Sequence, residues 1–189
     1  MTRSSHNFQV VAAIPESIPQ EAFITALHEH ENVIMLQDLT TGYKEIDTTT
    51  AGATDTHFSP GDPIVRYSVS ESVIIIPGAG NWGKYPITFP ASFQNTPNGV
   101  KFLAHATAGV IVKGGFFVEK AGSDHQVNCE GEEGKGLIKW VLVERVTVEC
   151  HSALMPFVRH SMTKAHENTC RLVVEKVVRQ RESSGSGNR

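Results

Sequence analysis

Cysteine is scarce in this chain of 189 residues: Cys129, Cys150 and Cys170 are an odd set with no C-x-x-C. Neither a disulfide framework nor a cysteine-built zinc site is indicated, and reduced thiols in an intracellular protein are the simplest reading. Long apolar runs are missing as well. No segment approaches the ~20 residues of a membrane-spanning helix, and the apolar part of "MTRSSHNFQVVAAIP" is too short and interrupted for a signal peptide. A cytoplasmic protein without stable membrane insertion is expected. An excess of positive charge is also lacking. The formal net charge is −3 and the pI about 6.3, which argues against a nucleic-acid partner. Nine histidines are scattered. His28 and His30 stand closest, but their helical context sets them on different faces with no third ligand, so no metal site is indicated. Gly78, Gly80 and Gly83 lie around Trp82 without the strand–loop–helix order of a phosphate loop. No nucleophilic triad or cofactor motif is visible, and no cofactor is expected. The oligomeric state is not encoded in any pattern of the chain.

What is present is alternation. "NFQVVAAI" (Asn7 to Ile14) reads as a first strand ended by Pro15. "IPQEAFITALHEHENVIML" shifts to helical spacing, with Ala22, Phe23, Ala26 and Leu27 as a stripe and Pro19 at the start. A break near Glu31 and Asn32 predicts two short helices, or a helix and a turn. The polar stretch "LTTGYKEIDTTTAGATDTHFSPGDP" predicts a short strand at Tyr43 to Ile46 and otherwise a surface loop. From Ile64 the chain is mostly strand, with "NTPNG" as a hairpin signal and bends near Gly109 or Gly114–Gly115. The acidic "EGEEGKG" reads as a solvated loop. After His151 the period becomes 3.6. One long helix is predicted, with Ser152 as N-cap and an apolar stripe through Leu154, Val158, Met162, Ala165, Thr169, Leu172 and Val173.

The predicted order is a strand, short helices, a meander of five or six antiparallel strands, and one long C-terminal helix. The expected class is α+β: residues 1–182 form a single domain, a curved antiparallel sheet with the long helix packed over its concave face, and residues 183–189 form a flexible tail. A curved sheet and one helix rarely fill the space between them, so an internal cavity is expected.

Two residues break the alternation. In "LIKWVLVERVTVEC" Glu144 falls on the side of Trp140, Leu142, Val146 and Val148. In "IVRYSVSESVIII" Glu71 falls on the side of Val65, Tyr67, Val69 and Val73. An inward carboxylate is costly unless paired, and burial raises its pKa toward the range useful for general acid–base work. The alternatives are pairing with a buried polar group or a parity slip that turns both outward. His166 sits in the stripe of the long helix beside Met162, as a base, a donor to a ligand, or a boundary histidine. Tyr67, Tyr85 and Trp140 share the apolar faces, and Trp82 sits on a rim. These four, with Met162, are the candidate ligand-binding residues; Glu144, Glu71 and His166 are the candidate catalytic ones. Cys150 and Cys170 read as small buried hydrophobes, His105 and His160 as solvated, and His151 as a cap or bridge at the strand–helix junction.

The segments "RYSVSESVIIIP", "FQNTPNGVKFLAHATAGVIV" and "LVERVTVECHSALMPFVRHSMTKAHE", in this element order, resemble the helix-grip proteins of the START and Bet v 1 superfamily. More narrowly, they resemble a family of fungal START-like proteins. The resemblance covers Asn7 to Val178 and carries no catalytic motif to transfer. It implies a hydrophobic cavity and either ring-closing chemistry on polyketide-like metabolites in fungal secondary metabolism or non-catalytic binding and transfer of a lipid or other hydrophobic ligand. The expected partner is a small hydrophobic molecule. The expected chemistry is that of a cofactor-free cyclase or isomerase.

Overall fold

Period-two alternation becomes seven strands, and the 3.6-residue stripes become helices. The computed structural model describes residues 2–50, 56–74, 84–122 and 139–185. β1 (Arg3–Ile14) leads to α1 (Gln20–His28) and α2 (Glu31–Ile34). Then come β2 (Thr40–Thr50), β3 (Pro63–Ile74), β4 (Lys84–Thr96), β5 (Gly99–His105), β6 (Ile111–Lys120), β7 (Trp140–His151) and the long α3 (Met155–Gly185). Every pairing is antiparallel, in the order β1-β7-β6-β5-β4-β3-β2. The expected α+β helix-grip architecture is present: a curved antiparallel sheet with one long C-terminal helix.

Residues opposite each other in an antiparallel ladder share a face, so the register decides the parity of both glutamates. Glu144 lies between Val10 of β1 and Phe116 of β6. Glu71 pairs with Ile87, two places beyond the Val69–Phe89 pair. Val69, Phe89 and Phe116 belong to the main core, against which Val10 and Ile87 pack. Both carboxylates therefore face inward. That face is covered by two helices rather than one. α3 lies on β1 and β7, while α1 lies on β5 and β6 and buries the predicted stripe of Ala22, Phe23, Ala26 and Leu27.

Several boundaries differ from the sequence reading. The "polar loop" before β3 contains an eleven-residue strand, β2, because an edge strand is held by backbone pairing, here with β3, rather than by an apolar face. In the segment that follows, Phe58 is buried with Ile64 beneath Leu103 on the outer side of the sheet. The break between the first helices falls at Glu29 and His30. Ser152 does not cap α3. Its hydroxyl donates to Thr2 O at 2.9 Å and accepts from the Ser4 hydroxyl at 2.7 Å, tying the junction to β1. His151 bridges as expected, its Nδ1 accepting from the Ala153 amide at 3.2 Å. "NTPNG" forms the β4–β5 hairpin, with Thr96 opposite Gly99. Gly109, at φ +71°, serves the β5–β6 connection. The first part of the expected tail, through Gly185, continues α3. Cys129, the loop around Trp82 and "EGEEGKG" lie outside the described residues.

Candidate functional site: a carboxylate–imidazole pair under the long helix

Glu144 is completely buried, and both of its oxygens are engaged from α3. Oε1 lies 2.5 Å from His166 Nδ1, and Oε2 accepts from the Cys170 thiol at 3.5 Å. His166 and Cys170 are four residues apart, so they project from one face of the helix on successive turns. The strand thus supplies a single carboxylate and the helix grips it twice. Burial, followed by the adjacent Glu144 carboxylate, pushes the Cys170 thiol well above its ordinary pKa. It is a hydrogen-bond donor here and not a thiolate nucleophile.

His166 is only 7% exposed, its ring edge-on to Phe8 at 5.4 Å between centroids. With Nδ1 committed to the carboxylate, Nε2 is the ring nitrogen left for another partner, an acceptor in the tautomer whose proton sits on Nδ1. Among the described residues Nε2 has no hydrogen-bond partner, nor is it one of the sealed, unpartnered polar atoms. Glu71 faces the same region. Burial raises the pKa of its carboxyl, and the nearby His166 partly offsets that rise. A buried carboxylate that orients an imidazole, an open imidazole nitrogen and a second carboxyl with raised pKa are the parts of an acid–base site.

The other expected site residues are dispersed. Met162 is partly buried one turn before His166, on the same stripe. Tyr67 belongs to a separate network: its hydroxyl lies 3.0 Å from His30 Nδ1, and His30 Nε2 donates to Asn95 Oδ1 at 2.9 Å. Burial, then Glu45 and Tyr43, raises the Tyr67 pKa to about 12. Trp140 is partly buried at the far end of β7 beneath the Lys120 ammonium, 5.9 Å from its ring centre. Tyr85 has the parity expected of it but is 58% exposed. Trp82 lies outside the described residues. His105 and His160 are exposed, as expected.

A groove of about 890 Å³ is open to solvent between α1 and the C-terminal half of α3, over Ala22, Ala26, Leu172 and Val177. A second, about 550 Å³, is open on the outer face of the sheet. Neither is an enclosed cavity between sheet and helix, and Tyr67, Tyr85, Trp140 and Met162 line neither. Among the described residues no group of three or more His, Cys, Asp or Glu is placed to hold a metal ion, and no helix is long and apolar enough to cross a membrane.

Sequence reasoning missed Cys170 and His30. The only signal for Cys170 was its position four residues after an inward histidine on one helical face. His30 gave none, because its partners come from β3 and β4.

The fold and this site define a helix-grip protein with a buried carboxylate–imidazole pair. The chain belongs to the family described as a domain of unknown function, DUF7053, whose model matches residues 3–179. No curated protein matches it in sequence. Solved structures share its fold. The di-domain ARO/CYC StfQ from the steffimycin biosynthetic pathway aligns with a TM-score of 0.59 at 9% identity, over 94% of this chain and 52% of that one, so this chain spans about half of it. The Zhui aromatase/cyclase from Streptomyces sp. R1128 aligns at 0.55 and 9% identity over 97% of this chain and 99% of that one. TTHA0849 from Thermus thermophilus aligns at 0.53 and 10% identity, over 94% and 99%.

Proposed function

We propose that the protein is a cofactor-free acid–base catalyst of ring closure or isomerisation, acting on a small hydrophobic, polyketide-like metabolite of the kind made in fungal secondary metabolism. The observation that carries this reading is the Glu144–His166 pair, whose Nε2 has no partner among the described residues, with the inward-facing Glu71 within electrostatic reach of the ring. Two neighbours of the same fold are named aromatase/cyclases, which supports the choice of reaction class. His166 is the catalytic base: Nε2 takes a proton from the carbon or hydroxyl that must become nucleophilic. Glu144 is a positioning residue that fixes the tautomer and stabilises the imidazolium once formed. Glu71, its pKa raised, is the acid that protonates the carbonyl or leaving oxygen. Apolar residues against the core at this end, Ile87, Ala104, Val158 and Met162, are only partly buried and hold the substrate's carbon skeleton.

The test is turnover of a linear poly-β-ketone thioester mimic. The parent should accelerate ring closure over buffer, His166→Ala should lose about a hundredfold or more, and Glu71→Gln about tenfold. Equal rates for the parent and His166→Ala would overturn the catalytic reading.

A second reading, a non-catalytic carrier of a lipid or other hydrophobic ligand, draws on the saturation of both Glu144 oxygens by helix side chains, an arrangement that also suits pure structure. Native mass spectrometry of freshly purified protein separates the two, since a heterogeneous lipid cargo favours the carrier.

A further inference from the structure

The outer face of the sheet, opposite the Glu144–His166 pair, carries the 550 Å³ groove across the middle of β5, β6, β7 and β1. Register sets Lys101 opposite Gly115, and Gly115 opposite Arg145. With neighbouring strands about 4.8 Å apart, the two cations leave the backbone roughly 10 Å from each other. The residue between them has no side chain to fill the gap. Lys113, two places before Gly115 and so on the same face, borders the same space. Position 115 tolerates only glycine: a Cβ there would lie 2.7 Å from Val100 O and 2.6 Å from Phe117 Cζ. The Phe117 ring is thereby drawn in as the groove's apolar wall, with the Arg145 guanidinium 5.8 Å from its centre.

The charges are arranged asymmetrically. Arg145 makes a bidentate pair with Glu119 at 2.6 and 2.8 Å, and Lys113 pairs with Glu149 at 2.5 Å. Neither carboxylate lines the groove. Lys101 donates only to the His57 carbonyl, at 3.1 Å, so its charge is not neutralised among the described residues. The lining therefore presents Lys101, Lys113 and Arg145 and no acidic side chain, on a chain whose net charge is −3. Lys101 supplies the charge not neutralised by a carboxylate, while Arg145 and Lys113, each already on a carboxylate, have further N–H donors to share with an oxyanion of several acceptor oxygens.

We propose that this groove binds a doubly charged oxyanion of the phosphate-monoester class, carried on a small apolar or planar group that rests on Phe117. The site is separated from the acid–base pair by the thickness of the sheet and does not depend on the proposed reaction.

The test is titration of the full chain with phenyl phosphate and with inorganic phosphate at low ionic strength, followed by calorimetry and by amide shifts. Phenyl phosphate should bind, with shifts centred on Lys101, Gly115 and Arg145, and about tenfold tighter than inorganic phosphate. The Lys101→Gln/Arg145→Gln double variant should lose at least tenfold. Arg66→Gln, an exposed cation outside the groove, should bind as the parent does, and circular dichroism should show all variants folded. Binding to phosphatidic acid vesicles that the double variant abolishes, without binding of phenyl phosphate, would support the same oxyanion site with a lipid headgroup as its source. Absence of binding to both, or equal binding by the parent and the double variant, would overturn the proposal.

Discussion

Among the described residues, two histidine-centred polar knots lie on the inner face of the sheet, and they differ in one nitrogen. At His30 both ring nitrogens are taken, one by Tyr67 and one by Asn95, and the ring stacks on Phe93 at 5.1 Å. At His166 one nitrogen is held by Glu144 and the other has no partner among the described residues. Both rings are nearly buried, at 6% and 7% exposure. Burial therefore does not distinguish the two rings; the number of open hydrogen-bonding positions does. A saturated knot holds α2 to β3 and β4. A knot with one position left over can act on something else.

The comparison is broken most severely by removing Glu144. Glu144→Ala leaves His166 and Cys170 without their shared acceptor and should cost about 3–5 kcal/mol in urea unfolding. The isosteric Glu144→Gln should cost less but still lower the melting temperature. Next comes the contrast between the histidines themselves. His166→Ala should lower turnover about a hundredfold or more while leaving the fold intact, whereas His30→Ala should leave turnover within a few-fold of the parent and cost about 1–3 kcal/mol of stability. Equal kinetic losses in the two variants would erase the distinction.

A finer test uses pH. Burial, with a smaller contribution from His28, depresses the His30 pKa below 6.5, against opposing effects of Asn95 and Glu45. A base whose folded pKa is lowered contributes stability above its unfolded value and loses it as pH falls through the folded value. Stability should therefore drop as pH falls below 6.5, and His30→Gln should flatten that part of the curve. The smallest effect is expected at Glu71. Its raised pKa makes the charged form a cost, absent below pH 4.5 and fully felt above the raised value. At pH 7 Glu71→Gln should raise the melting temperature by about 1–3 °C, with no gain under acid conditions. Such a gain combined with lost turnover is the signature of a group retained for function.

The legible parts of this site were those that periodicity controls. Strand parity placed Glu144 and Glu71 inward because one buried face leaves no freedom of register, and the 3.6-residue stripe placed His166 under the sheet. Parity was not enough for Tyr85, which points to the correct side at the sheet's margin yet stays exposed. Cys170 was hidden because a cysteine in an apolar stripe looks like any small hydrophobe, and its partner lies 26 residues away. The His30 knot depends on how α2 seats against Tyr67 and Asn95, 37 and 65 residues distant. β2 was read as mostly loop because a polar edge strand carries its evidence in backbone pairing, which side-chain pattern does not reveal.

The pairing of β1 with β7 has a kinetic consequence. Strands β2 to β7 close as neighbour-to-neighbour hairpins, whereas Arg3 meets His151 only after nearly the whole chain has been made. Loop-closure entropy makes such a contact late. Phe8, which lies edge-on to His166, arrives with that last strand. Most of the ladder can thus form while the Glu144–His166 pair still lacks one wall.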